Sequence, residues 1–193
     1  MKQGSKNDRV IPIDEAKQAL QSICRRLGLI HLEYAKAIVE ELGEEKGIKL
    51  ISRAIRNYGS KIGEKTREEV LARGLEIIPE NFNKGDTYRV PSIPGGLHET
   101  RKIVKVDGKE RFCSTGCIVA KVWQEEGEEK LGRLYCYMDV AKYMAFNPNY
   151  KYVHIKAIPD GDDCCEMGIK PTTEQERKDF FAEDKDWFYI DKY

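Results

Sequence analysis

The sequence predicts an α+β fold, a single compact domain in which N-terminal helices pack on a C-terminal antiparallel sheet. Three observations carry this. Apolar residues recur at helical spacing as far as Ala72, the texture then changes to short apolar runs broken by Pro and Gly, and two hairpin patterns follow. Regular alternation of strands and helices, the mark of a parallel-sheet α/β fold, is missing.

The domain is expected over residues 11–193, after a flexible polar N-terminus at 1–10. Asp14 reads as the N-cap of a first helix with apolar Ala16, Ala19, Leu20, Ile23, Cys24 and Leu27, stopped at Gly28. A second helix, roughly Leu32 to Leu42, aligns Tyr34, Ala35, Ile38, Val39 and Leu42. A third, from about Ile48 to Ala72, carries Leu50, Ile51, Ala54, Ile55, Tyr58 and Ile62. Gly59 and Gly63 lie within it four residues apart, each weakening the helix by about 1 kcal/mol, so another backbone is expected close against them.

Residues 81–98 read as a mobile loop. The pair Asp107–Gly108, which suits a type I′ turn, predicts a hairpin of Thr100 to Val106 with Lys109 to Cys113. Ile118, Val119, Val122 and Trp123 give a short helical stripe ending near Gly127, and the charge run at 125–130 reads as a solvated turn. Tyr150 to Ile158 and Cys164 to Lys170 alternate as strands around turn residues 159–162 and should pair. Strand alternation places Val153, Ile155 and Ala157 inward and His154 on a polar face, with Cys165 inward and Cys164 outward. Phe180, Phe181, Trp187, Phe188 and Tyr189 are expected to dock the tail back on the body.

Composition narrows the function. Lys+Arg and Asp+Glu both number 33, so the broad positive field that draws proteins to nucleic acid or anionic membranes is missing. The start of the chain carries no apolar signal segment, and no apolar run approaches the ~20 residues that cross a bilayer. The expectation is a cytoplasmic protein with six reduced cysteines, a small-molecule substrate, no nucleic-acid or membrane partner, and a homo-oligomer left open. Phosphate-loop, HExxH and GxSxG motifs do not occur.

Chemistry-bearing side chains concentrate between Gly132 and Met167. Cys136 and Asp139 are three apart and share a surface if that stretch is helical, although Asp139 also fits an N-cap. Cys165 is a core hydrophobe or a pocket thiolate, and His154 a solvated or a catalytic imidazole. His98 and His31 carry weaker signals, and so does the Cys113, Cys117 spacing. No CxxC pair occurs, so a zinc site would need tertiary convergence, for instance of Cys113, Cys136, Cys165 and a histidine. We expect no cofactor, zinc being the one metal the residues leave open.

The stretch LGRLYCYMD from Leu131 to Asp139, with Phe146, Asn147 and Pro148, and with Gly161, Asp162, Cys165, Glu166 and Met167, resembles the L-2-amino-thiazoline-4-carboxylic acid hydrolase family. Cys136, Asp139, Gly161, Asp162 and Cys165 are the matching positions. Met167 stands where an aromatic is more usual, and Cys164 is an extra thiol. The resemblance implies hydrolytic opening of a cyclic isothiourea to an N-carbamoyl-cysteine. Cys136, Asp139, Cys165 and His154 become the expected catalytic residues; Arg101, Trp123, Tyr135 and Asp162 become the expected substrate-binding ones. Arg101, Arg133 and Lys156 are candidate cations for a substrate carboxylate. The alternative is a non-catalytic small-ligand sensor or accessory domain.

Overall fold

A computed structural model describes residues 10–192, so most of the expected flexible N-terminus lies outside the described residues. The first two predicted helices are one, α1 (Ile13–Leu42), which begins after Pro12 with no side-chain cap, so Asp14 is not the N-cap. Gly28 does not stop it. The apolar stripe continues into Leu32 and Ala35, both buried, and packing outweighs the ~1 kcal/mol that a mid-helix glycine costs. A Cβ at Gly28 would stand 3.1 Å from the Val119 carbonyl oxygen, so the missing side chain lets another helix approach.

Gly43, at φ 77°, ends α1 and starts α2 (Glu44–Ala72), making an antiparallel helical hairpin. As the glycines predict, α2 is closely packed: its Gly59 and Gly63 press on α5 (Met138–Phe146). Residues 73–99 contain a 3-10 turn, Pro79–Lys84, but no other helix or strand apart from the bend into the sheet. The segment expected to be mobile is held by side chains. Glu69 accepts from the Asp86 N–H at 2.6 Å, and Gln21 Nε2 donates to the Gly95 carbonyl at 2.6 Å.

The hairpin β1 (Thr100–Val106) and β2 (Lys109–Thr115) forms as expected. Its turn has Asp107 at φ 52° and Gly108 at φ 74°, the positive pair a type I′ turn requires. α3 (Ile118–Glu126) ends on left-handed Gly127. Part of the expected charged turn instead forms α4 (Glu129–Arg133), which runs through a 3-10 turn, Leu134–Tyr137, into α5. β3 (Tyr150–Lys156) and β4 (Cys165–Pro171) pair antiparallel, giving the sheet order β1-β2-β4-β3.

Register sets the face that matters. Ser114 lies opposite Cys165, and Met167 lies opposite both Phe112 and His154, so these side chains share one face. The prediction that His154 occupies a polar face is corrected: both faces of β3 are covered, with Val153 0% and His154 9% exposed. Cys164, expected outward, is as enclosed as Cys165, because it packs beside Cys113 of the neighbouring strand.

The tail docks as its aromatics predict, with Phe180 and Trp187 buried and Phe188 stacked on Tyr137; Phe181 stays exposed. α6 (Glu174–Phe181) starts on a Thr173/Glu176 capping box. Two buried cations pin the tail. Arg56 donates to the Phe180 and Ala182 carbonyls at 3.0 and 2.5 Å, and Lys151 donates to Glu176 at 2.5 Å and the Ile190 carbonyl at 3.1 Å. Two apolar clusters, one under α5 and the tail and one between α1 and α3, meet at Leu131 and Tyr135. Among the described residues no helix is long and apolar enough to cross a membrane.

Candidate functional site

The path from α4 to α5 brings one side chain after another to the covered sheet face. Cys136 sits in the tight 3-10 turn and Asp139 in the first turn of α5, where it makes no side-chain cap. The Asp139 carboxylate accepts from Lys142 and faces His154 Nε2 at 4.0 Å. Its side chain is 22% exposed while that of His154 is 5%, so solvent reaches this centre from the Asp139 side.

His154 is held from behind. Its Nδ1 lies 3.0 and 3.1 Å from the two oxygens of Asp191, and its backbone N–H donates to the same carboxylate at 2.8 Å. A carboxylate only accepts, so Nδ1 carries a proton and donates it to Asp191, and the other ring nitrogen, Nε2, is turned to the Asp139 side. Asp191 is enclosed and also accepts from Arg133 at 2.7 Å, while Arg133 Nε donates to Asp160 at 3.0 Å. Burial would raise the Asp191 pKa, but the hydrogen bond from His154, the electrostatic pull of the same ring and then the charge and hydrogen bond of Arg133 outweigh it and hold the carboxyl below its usual range. Burial likewise opposes the Arg133 charge, and Cys136, Asp191 and Asp160 together overcome it.

Three thiols share this surrounding. Burial pushes the Cys136 thiol well above its ordinary value; Arg133 pulls it back, and Cys117, Asp139 and Cys165 add to the rise. Cys165 is pushed up to about 11, chiefly by burial, although the Ile158 N–H donates to its sulfur at 3.5 Å. Cys117 is raised by burial too, with Asp139 among its lesser causes. The same carboxylate adds to the rise that burial gives the phenols of Tyr135, Tyr143 and Tyr152.

On the β1 and β2 side, His98 is held neutral, its pKa brought down to about 4 by burial and then by Arg101, against the pull of Asp139. Arg101 lies over the Phe112 ring at 5.1 Å, and His98 meets that ring edge-on. His98 Nδ1 and the Oγ of fully buried Ser114 have no hydrogen-bond partner among the described residues. Two unsatisfied polar atoms beside Cys165 and Arg101 are what a ligand-binding surface leaves open.

The residues named from the sequence divide. Cys136, Asp139, Cys165, His154, Tyr135 and Arg101 converge here. Trp123 does not: it is buried between α1 and α3, donates to the Gly28 carbonyl at 3.1 Å, and meets Tyr135 through the core. Asp162 is exposed and accepts from the Ala157 N–H at 2.8 Å, bracing the turn before β4. Arg133 pairs internally through Nε with Asp160 and through Nη2 with Asp191, its Nη1 having no hydrogen-bond partner among the described residues, and Lys156 pairs with Asp163 at the surface. Cys113 neighbours Cys164 rather than Cys136, and among the described residues no group of three or more His, Cys, Asp or Glu side chains is placed to hold a metal. All six cysteines are free. A cavity of about 300 Å³ opens away from this centre, between α2 and the tail, lined by Ile48, Ser52, Arg53, Trp187 and Phe188 among others.

Asp191, Ser114 and Lys142 went unnoticed in the sequence, and Cys117 was weighed only for its spacing from Cys113. Lys142 was within reach, three residues after Asp139 on one helix. Asp191 carries no local signal, since it meets its partner 37 residues away.

The family model described as L-2-amino-thiazoline-4-carboxylic acid hydrolase matches residues 25–169, well over half of the chain. No curated protein and no solved structure matches it.

Proposed function

Since the chain belongs to the L-2-amino-thiazoline-4-carboxylic acid hydrolase family, we propose that it hydrolyses a C–S or C–N bond in a small cyclic isothiourea, amidine or amide, with Cys136 as nucleophile. The observation that carries the reading is the placement of Asp139, 4.0 Å from His154 Nε2 and near enough to Cys136, Cys165 and Cys117 to add to the rise that burial gives their thiol pKa values.

An amidinium group of the substrate pairs with Asp139, and a substrate carboxylate pairs with Arg101. Bringing a cation beside Cys136 lowers a thiol pKa that is high at rest, and a thiol of high pKa gives the stronger nucleophile once ionised. His154 Nε2 takes the Cys136 proton, and Sγ attacks the carbon between nitrogen and sulfur. The ring C–S bond breaks, and the departing thiolate takes the proton from His154. The adduct is an isothiouronium on Cys136. His154 then deprotonates a water, whose oxygen adds to the same carbon; the Sγ–C bond breaks and the thiol regains its proton. One water is consumed, and a carbamoyl group and a free thiol are formed. The reaction belongs in the cytoplasm, where the cysteines stay reduced.

Replacing Cys136 by Ser tests this. Turnover falls by about 1000-fold or more with the fold unchanged, because a serine hydroxyl ionises far less readily than a thiol. Full activity in Cys136→Ser ends the thiol mechanism.

One observation favours a second reading, a non-catalytic sensor: burial raises the pKa of Cys136, Cys165 and Cys117, so none is a resting thiolate. A sensor would be stabilised by a heterocyclic carboxylate with no product formed.

A further inference from the structure

The family match ends at residue 169, yet the carboxylate that grips His154 comes from residue 191. Between them the chain forms α6 and a strap of turns ending in a 3-10 turn, Phe188–Ile190, that returns to β3. The strap is anchored at both ends by buried cations acting on backbone carbonyls, Arg56 at Phe180 and Ala182 and Lys151 at Ile190, with Trp187 buried between them. Asp191, at its end, has a fully enclosed side chain and accepts from the His154 backbone, the His154 ring and Arg133.

A carboxylate enclosed this far is costly unless every oxygen is satisfied, and here both oxygens are bound. Packing alone would be met by an apolar residue. What Asp191 adds is direction: by accepting from Nδ1 it turns Nε2 toward Asp139 and makes Nε2 the bare nitrogen whenever the ring is neutral. We propose that the C-terminal strap is a working part of the site and that Asp191 is the positioning residue that fixes the tautomer and aim of His154. Its role in turnover rests on the hydrolase reading; its role on the ring does not.

The charged groups facing His154 are Asp139 from α5 and Asp191 from the strap, with Lys142 and Arg133 bonded behind them. The experiment is a ¹⁵N NMR spectrum of ring-labelled full-length protein at alkaline pH. Only His31, His98 and His154 contribute, and His154→Ala assigns the third. The wild-type protein shows His154 protonated at Nδ1 with Nε2 bare. In Asp191→Asn the side-chain amide donates to Nδ1 and the proton moves to Nε2. That variant loses about 100-fold or more in kcat with KM little changed, as expected when a base is present in the wrong tautomer.

Wild-type His154 protonated at Nε2, or the same tautomer in Asp191→Asn, overturns the proposal. If Asp191→Asn does not fold, the wild-type spectrum decides alone. If the tautomers behave as stated and the wild-type protein turns over no 2-amino-thiazoline carboxylate, cyclic amidine or cyclic amide, the hydrolase reading falls and the positioning of the ring stands.

Discussion

Gly59 of α2 rests on Ala141 of α5, so closely that a Cβ at residue 59 would stand 2.5 Å from the Ala141 Cβ and 2.8 Å from the Met138 carbonyl oxygen. One turn on, Gly63 does the same with Lys142 and Ala145. The contact fixes the depth at which α5 lies, and α5 carries Asp139 and Lys142.

Gly59→Ala and Gly63→Ala therefore each destabilise the protein, although alanine is the better helix former. The gain in propensity is about 1 kcal/mol, and the overpacking cost, typically about 1–3 kcal/mol and occasionally more, falls at the upper end because the atoms in the way include the α5 backbone. Thermal or urea unfolding checks the sign. A rise in stability in either variant would show that α2 and α5 are not in backbone contact.

Acid weakens the fold in a defined window. The folded pKa of His98 is about 4 and the ordinary value is about 6.5, so between them the unfolded chain binds the extra proton. This contribution is whole above pH ~6.5 and is lost as pH falls toward ~4, by up to roughly 3 kcal/mol. Asp191, whose carboxyl is held low, adds a further loss below the ordinary aspartate value of ~3.9. Unfolding curves at a series of pH values give the slope, and His98→Asn flattens the upper part. An unchanged slope in that variant would remove His98 as the cause.

Arg133→Met leaves Asp191 enclosed with only His154 to balance it. Breaking a buried pair from one side costs about 3–5 kcal/mol, more than the exposed Lys156→Met change at the Asp163 pair, which solvent screens. Denaturant unfolding of the two variants compares them directly. Equal losses would place the Arg133 pair at the surface.

Local chemistry was legible in the sequence and distant partnership was not. The Asp107–Gly108 turn could be read because two adjacent positive φ angles demand those residues, and the Gly59/Gly63 spacing because close packing leaves a helical repeat. Gly28 was misjudged because a breaker rule weighs propensity alone, whereas the Val119 contact that rewards glycine there is 91 residues away. The same holds for His154. Alternation assigned it to an open face, and that face is covered by distant elements, α5 with Asp139 and Tyr143 and the returning strap with Asp191 at its end. Cys136 and Asp139 were found because they lie one turn apart, while Ser114 and Cys117 join the centre through sheet pairing and the core.

Resting thiols should react slowly. Burial raises the pKa of Cys136, so its iodoacetamide labelling at pH 7 is well below that of a free thiol and rises steeply toward alkaline pH. A substrate analogue carrying an amidinium speeds labelling of Cys136 if it leaves the sulfur open. Mass spectrometry of the Cys136 peptide reads both effects. Fast labelling at neutral pH without ligand would mean a thiolate already present.

The most direct measurement tracks thiol release when the purified protein meets L-2-amino-thiazoline-4-carboxylate, in parallel with Cys136→Ser and Asp139→Asn. Steady release by the wild-type protein, reduced about 1000-fold in both variants, is the result expected from a thiol nucleophile served by the Asp139 carboxylate. No release by the folded wild-type protein, or undiminished release by Cys136→Ser, would contradict it.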